Sequence, residues 1–88
     1  MNICFDTDEC LVDGGKPIPA NVELLKLLSK THKVFIWSGN GFVHAFDVAK
    51  KLYLLEVISG VLNKYSTFVP EIAFDNQEID LGKVNIKL

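Results

Sequence analysis

An α/β domain built on a small, mostly parallel sheet is what this sequence predicts, and three observations carry the prediction. Short apolar runs alternate with segments of helical spacing. Glycine and proline punctuate the joints between them. Several of the apolar runs also stop at a polar residue rather than fading into a turn. Strand–helix alternation of this kind specifies parallel pairing through crossover helices, in a three-layer, Rossmann-like arrangement with the sheet flanked by helices.

The elements follow in order. "NICFD", residues 2 to 6, reads as a short buried strand. The stretch "DECLVDGGKPIPA" is a loop, with Asp13-Gly14 as a turn signal. From Asn21 to Thr31, leucines at 24, 25, 27 and 28 with charges between them give helical spacing, and Asn21 reads as the N-cap. "KVFIW", 33 to 37, is a β-branched and aromatic strand. After the turn "SGNG", Phe42, Ala45, Phe46, Ala49 and Leu52 mark the buried face of a second helix. A third strand falls near residues 57 to 62, a fourth at "EIAFD", 71 to 75, and the tail "GKVNIKL" adds a short edge strand. Trp37 and Tyr53 read as core or edge packing.

The chain has 88 residues, enough for one domain spanning 1–88. Hydrophobic residues make up 49% of it, which excludes a disordered composition. Nine lysines against eleven acids leave a net charge of −2, and this argues against a nucleic-acid or anionic-membrane partner. No apolar run approaches the roughly 18 residues that span a bilayer. Met1 is followed by Asn2, Ile3, Cys4 and then acids, unlike a basic-apolar leader, so the expected setting is cytoplasmic. Cys4 and Cys10 are then expected as free thiols.

The polar strand ends carry the chemistry. In an open parallel sheet the carboxyl ends of the strands share one margin, and ligands bind there. Strand one ends in Asp6 with Asp8 just beyond, strand two in Ser38, and strand four in Asp75. The expectation is that Asp6, Asp8 and Asp75 converge, repel one another and call for a cation. Oxygen-only ligands suit Mg²⁺, which keeps waters and a substrate phosphate in its shell. The Ser38 hydroxyl and the Gly39 N–H are placed to donate to a phosphoryl oxygen, with a helix N-terminus behind them. Taken singly, each acid could be an ordinary turn residue and Ser38 a helix cap. Asn40 is assigned the capping, which leaves Ser38 free. His44 shares a helix face with Asp47 and Lys51 and reads as solvated, as do the loop acids Glu78 and Asp80.

The ordered set "FDTDECL", "IWSG", a lysine before strand four, and "IAFDNQEID" resembles the haloacid dehalogenase-like superfamily of Mg²⁺-dependent phosphohydrolases. The resemblance spans nearly the whole chain. It implies Asp6 as the nucleophile that forms an aspartyl-phosphate and Asp8 as the general acid and base. It implies a metal held by Asp6, the backbone carbonyl of Asp8, and Asp75. For the lysine it favours Lys64, which follows the third strand, over Lys50 and Lys51. Such a chain acts on a phosphorylated substrate. The segments 9–20 and 53–88 are too short for a cap domain, so the site is expected to be open, acting on a large substrate or borrowing a cover from a homo-oligomer.

The sequence departs from the family pattern at four places. Glu9 stands where many members have Gly, Cys10 where most have Thr or Val, and Asn76 where a second Asp is common. Asp80 is the acid available in its stead, and the tail is shorter than in most relatives. A cysteine-dependent phosphatase would need an arginine, and the chain has none. A receiver domain would place its hydroxyl after its phosphorylated acid, the reverse of the order here. The alternative from another class is a binding or regulatory subunit on the same fold.

Overall fold

Asn2–Phe5 forms β1, with Ile3, Cys4 and Phe5 all fully buried, which is the signature of a central strand covered on both faces. The computed structural model describes residues 1–88. Beyond β1 the chain makes a small antiparallel hairpin of β2, Val12–Asp13, and β3, Lys16–Pro17. Its two-residue turn needs positive φ at both positions, and Gly14 and Gly15 supply φ of 57° and 80°. Helix α1, Pro19–Ser29, is followed by β4, Lys33–Ser38, then α2, Phe42–Lys51. Three further strands complete the chain: β5, Gly60–Asn63, β6, Ile72–Asp75, and β7, Val84–Lys87.

The five long strands form one parallel sheet in the order β5-β4-β1-β6-β7. Phe5 pairs with Ile36 on one side and Phe74 on the other. The crossovers through α1 and α2 both step outward in the same direction, from β1 to β4 to β5. Right-handed crossovers that step the same way deposit their helices on the same face. Val22 and Leu25 of α1 and Ala45 and Ala49 of α2 accordingly join Ile3, Phe5, Val34, Ile36 and Phe74 in one core. Phe5 and Phe74 stack there with ring centroids 4.6 Å apart.

The expected third layer of helix is replaced by irregular chain. Cys4, Trp37 and Ala73 point to the opposite face and are covered by Phe68, Ile79 and Leu81. These come from the two connections that lead into β6 and β7, and neither holds enough residues for a helix and its turns. Asn85 secures the second connection: its Oδ1 accepts from the Leu81 and Gly82 amides, and its Nδ2 donates to the Gly82 carbonyl.

Several local expectations are corrected. Helix α1 begins at Pro19 with Ile18 as its N-cap, because Asn21 Nδ2 donates instead to the Cys10 carbonyl at 2.7 Å. On α2 the buried residues are Ala45, Val48 and Ala49, while Phe42 and Phe46 stack on each other at the surface. Tyr53 is 90% exposed, since it takes a left-handed φ of 57° where the chain leaves α2 and so turns outward. Cys4 and Cys10 are free, as expected, and no helix is long and apolar enough to cross a membrane.

Candidate functional site

The connections after β1 and β6 leave toward opposite faces, so a crevice opens between these two neighbouring strands at their carboxyl ends. Asp6 and Asp75 stand on its two sides. The Asp6 amide donates to the Phe74 carbonyl at 2.9 Å, carrying the ladder one residue beyond β1. Thr7 is fully buried and donates its hydroxyl to the Trp37 carbonyl at 2.7 Å, which ties the turn after β1 to the end of β4. That turn closes through the Cys10, Leu11 and Val12 amides, all donating to the Thr7 carbonyl.

Lys64, from the connection between β5 and β6, bridges the crevice. Its Nζ lies 3.2 Å from Asp6 Oδ1 and 2.7 Å from Asp75 Oδ2, with all three side chains at most 8% exposed. Asp75 Oδ1 accepts from the Gln77 amide. The Oδ2 contact is an ion pair by distance but lies off hydrogen-bond alignment, so this buried oxygen has no aligned donor. Burial first, and the charge of Asp75 second, push the Asp6 carboxyl above its usual range despite the opposing pull of Lys64. For Lys64, burial alone would lower the ammonium. The close Asp75 contact and the charges of both acids outweigh it and hold Lys64 above its ordinary value.

Asp8 takes its partners from the start of α2. His44 Nε2 lies 2.9 Å from both of its carboxylate oxygens, and Asn40 Nδ2 donates to Oδ2 at 2.9 Å. The expected convergence of three carboxylates is therefore corrected: no group of three such side chains assembles. Asp6 and Asp75 meet one ammonium, while the start of α2 offers Asp8 two partners of its own. Asn40 consequently does not cap α2, whose N-cap is Gly41 at φ 100°. The Asn40 amide donates to Ser38 Oγ at 3.0 Å, so the buried Ser38 hydroxyl keeps its own proton to give.

A polar cavity of about 230 Å³ collects Asp6, Asp8, Ser38, Gly39 and Lys64 on its wall. Lys50 and Lys51 instead border a larger hollow of about 860 Å³ around Tyr53, at the far end of α2. That hollow holds none of the strand-end acids. Asp80 is exposed and lies outside the polar cavity. Cys10 is no nucleophile, because burial and then the charges of Asp6 and Asp75 push its thiol up to about 12.

The crevice suits a hard divalent cation. Two buried carboxylates share a single ammonium, which leaves one negative charge uncompensated, and the side-chain donors are oxygens alone.

Sequence reasoning missed four participants: Asn40 and His44 as partners of Asp8, Tyr65 on the cavity wall, and the Asn76 amide donating to Glu9 Oε2 at 3.1 Å. His44 was legible by position. It falls in the first turn of the helix that starts at the strand-end margin, and first-turn residues face whatever lies there.

Comparison with family models, with curated proteins and with solved structures returned no match. The class defined by fold and site is therefore stated physically: an α/β domain with an acid–lysine–acid crevice where its parallel sheet reverses connection.

Proposed function

We propose that this protein is a Mg²⁺-dependent phosphohydrolase or phosphotransferase of the haloacid dehalogenase-like kind, working through an aspartyl-phosphate on Asp6. One observation carries the reading: Lys64 spans Asp6 and Asp75 at the carboxyl ends of neighbouring strands. A purely structural ion pair does not need two acids around one buried lysine, and the extra charge costs stability unless a ligand uses it.

In this reading the Ser38 hydroxyl, the Gly39 N–H and Lys64 hold the phosphoryl oxygens. An Asp6 oxygen attacks phosphorus, the ester O–P bond breaks, and the leaving oxygen takes the proton held by Asp8. Asp8 then takes a proton from water, whose oxygen displaces Asp6 and releases inorganic phosphate. His44 and Asn40 orient Asp8 through both halves of the cycle. Mg²⁺, held by Asp6, Asp75 and the Asp8 carbonyl, would supply charge neutralisation and bring the Asp6 carboxyl into its ionised form. The substrate is a phosphorylated compound, and the setting is the cytoplasm.

The second reading, a binding or regulatory subunit, draws on Glu9, whose carboxylate stands on the cavity wall where it opposes a phosphate dianion. Turnover of an aryl phosphate with Mg²⁺ separates the two. Phosphohydrolase action predicts that Asp6→Asn lowers the rate on the order of a thousandfold or more. Equal, negligible turnover in both proteins would leave the subunit reading.

A further inference from the structure

Two departures from the family pattern touch each other. Glu9 adopts a left-handed φ of 59°, a conformation unfavourable for a residue with a side chain. Its carboxylate is then caught by the Asn76 amide at 3.1 Å, across the crevice from the turn after β1 to the end of β6. Both residues line the 230 Å³ cavity. The carboxylate is thus fixed beside the phosphoryl position without belonging to the Asp6–Lys64–Asp75 group. Tyr65, 75% exposed, lines the same cavity, with the Lys64 ammonium 5.9 Å from its ring centroid. Lys64 is the one cation on that wall, and it is already taken by Asp6 and Asp75.

A wall with a carboxylate held by Asn76 and an aromatic ring that already takes the Lys64 ammonium at 5.9 Å is chemistry for a cationic nitrogen. We infer that Glu9, fastened by Asn76 and assisted by Tyr65, selects phosphomonoesters whose leaving group carries an ammonium or quaternary ammonium group. This rests on the phosphoryl-transfer reading above and names its substrate class. It also gives a use to an acid that would otherwise only oppose the dianion.

The test compares phosphocholine with 3,3-dimethylbutyl phosphate, which has the same shape without the charge. Binding is measured by NMR titration with Mg²⁺ in the Asp6→Asn protein, with and without Glu9→Gln. Gln keeps the oxygen that Asn76 binds and removes only the charge. The expected result is about fivefold tighter binding of phosphocholine, the size of a partly solvated ion pair, weakening at high salt. Glu9→Gln is expected to bring the ratio close to one. Tyr65→Leu, a second variant, is expected to lower the ratio in part. A ratio near one with Glu9 present, or the same ratio after Glu9→Gln, would overturn the inference. A preserved ratio without Asp6-dependent turnover would reject the hydrolase reading alone, since ligand selection would then stand without catalysis.

Discussion

Lys64 is the residue on which the crevice depends. Removing it leaves Asp6 and Asp75 facing each other, buried, with no counter-charge. Lys64→Met is expected to destabilise the fold by about 3–5 kcal/mol, read from urea denaturation midpoints. Adding Asp75→Asn is expected to recover part of that loss, because one of the two stranded charges goes with it. Equal stability of Lys64→Met and the parent would mean that the bridge is not formed in solution. At this scale the acids were legible from strand ends and spacing, and Lys64 was favoured over Lys50 and Lys51 only by the family resemblance. The partners of Asp8 were not, since Asn40 and His44 lie more than thirty residues from it in sequence. Nothing local marks such a contact beyond the place of His44 in the first turn of α2. The Glu9–Asn76 pair was invisible for the same reason, with 67 residues between its members.

Among the elements, the strands were easier to place than the surfaces they present. All five strands of the parallel sheet were expected within a few residues of where they form, because central strands are apolar on both faces and end in turn residues. The helices were expected too, but their buried faces were set by what lies beneath. Small Ala45 and Ala49 pack against the sheet, and the larger Phe42 and Phe46 turn to the surface. A helix close to a sheet favours small side chains at the contact, which an apolar count ignores. The connection between β6 and β7 behaves as an element in its own right. A Cβ on Gly82 would come within 3.0 Å of Ala73 N, the Ala73 Cβ and the Val84 carbonyl oxygen. Two of these atoms are backbone and cannot yield. Gly82→Ala is therefore expected to cost about 1–3 kcal/mol, measured by thermal or urea unfolding. A neutral outcome would show that this connection is loosely held despite its three bonds to Asn85.

Over the whole molecule, buried protons set the alkaline limit of stability. Burial pushes the Cys4 and Cys10 thiols from 9.0 to about 12. Between those values the unfolded chain has released protons that the folded chain still holds, so stability falls as pH rises. The slope is roughly 1 kcal/mol per pH unit for each thiol. Lys64, held above its ordinary 10.5, adds to the loss once pH passes that value, for the folded state again keeps the proton longer. Urea midpoints are expected to fall from about pH 9 upward. In a Cys4→Ala, Cys10→Ala protein the fall is expected to begin only near the lysine range. A flat profile through pH 11 in the parent would show that the thiols meet water in the folded state.

Alternation of strand and helix, parallel pairing and the identity of the crevice acids could all be read from residue order. They depend on local spacing and on the rule that parallel strands put their ends along one margin. The side on which each connection passes, the use of plain loops where a second helical layer was expected, and the pairing of Asp8 with Asn40 and His44 came from packing in three dimensions. A chain of 88 residues must cover both faces of its sheet with what remains after five strands. That requirement acts on all segments at once and leaves no mark on any one of them.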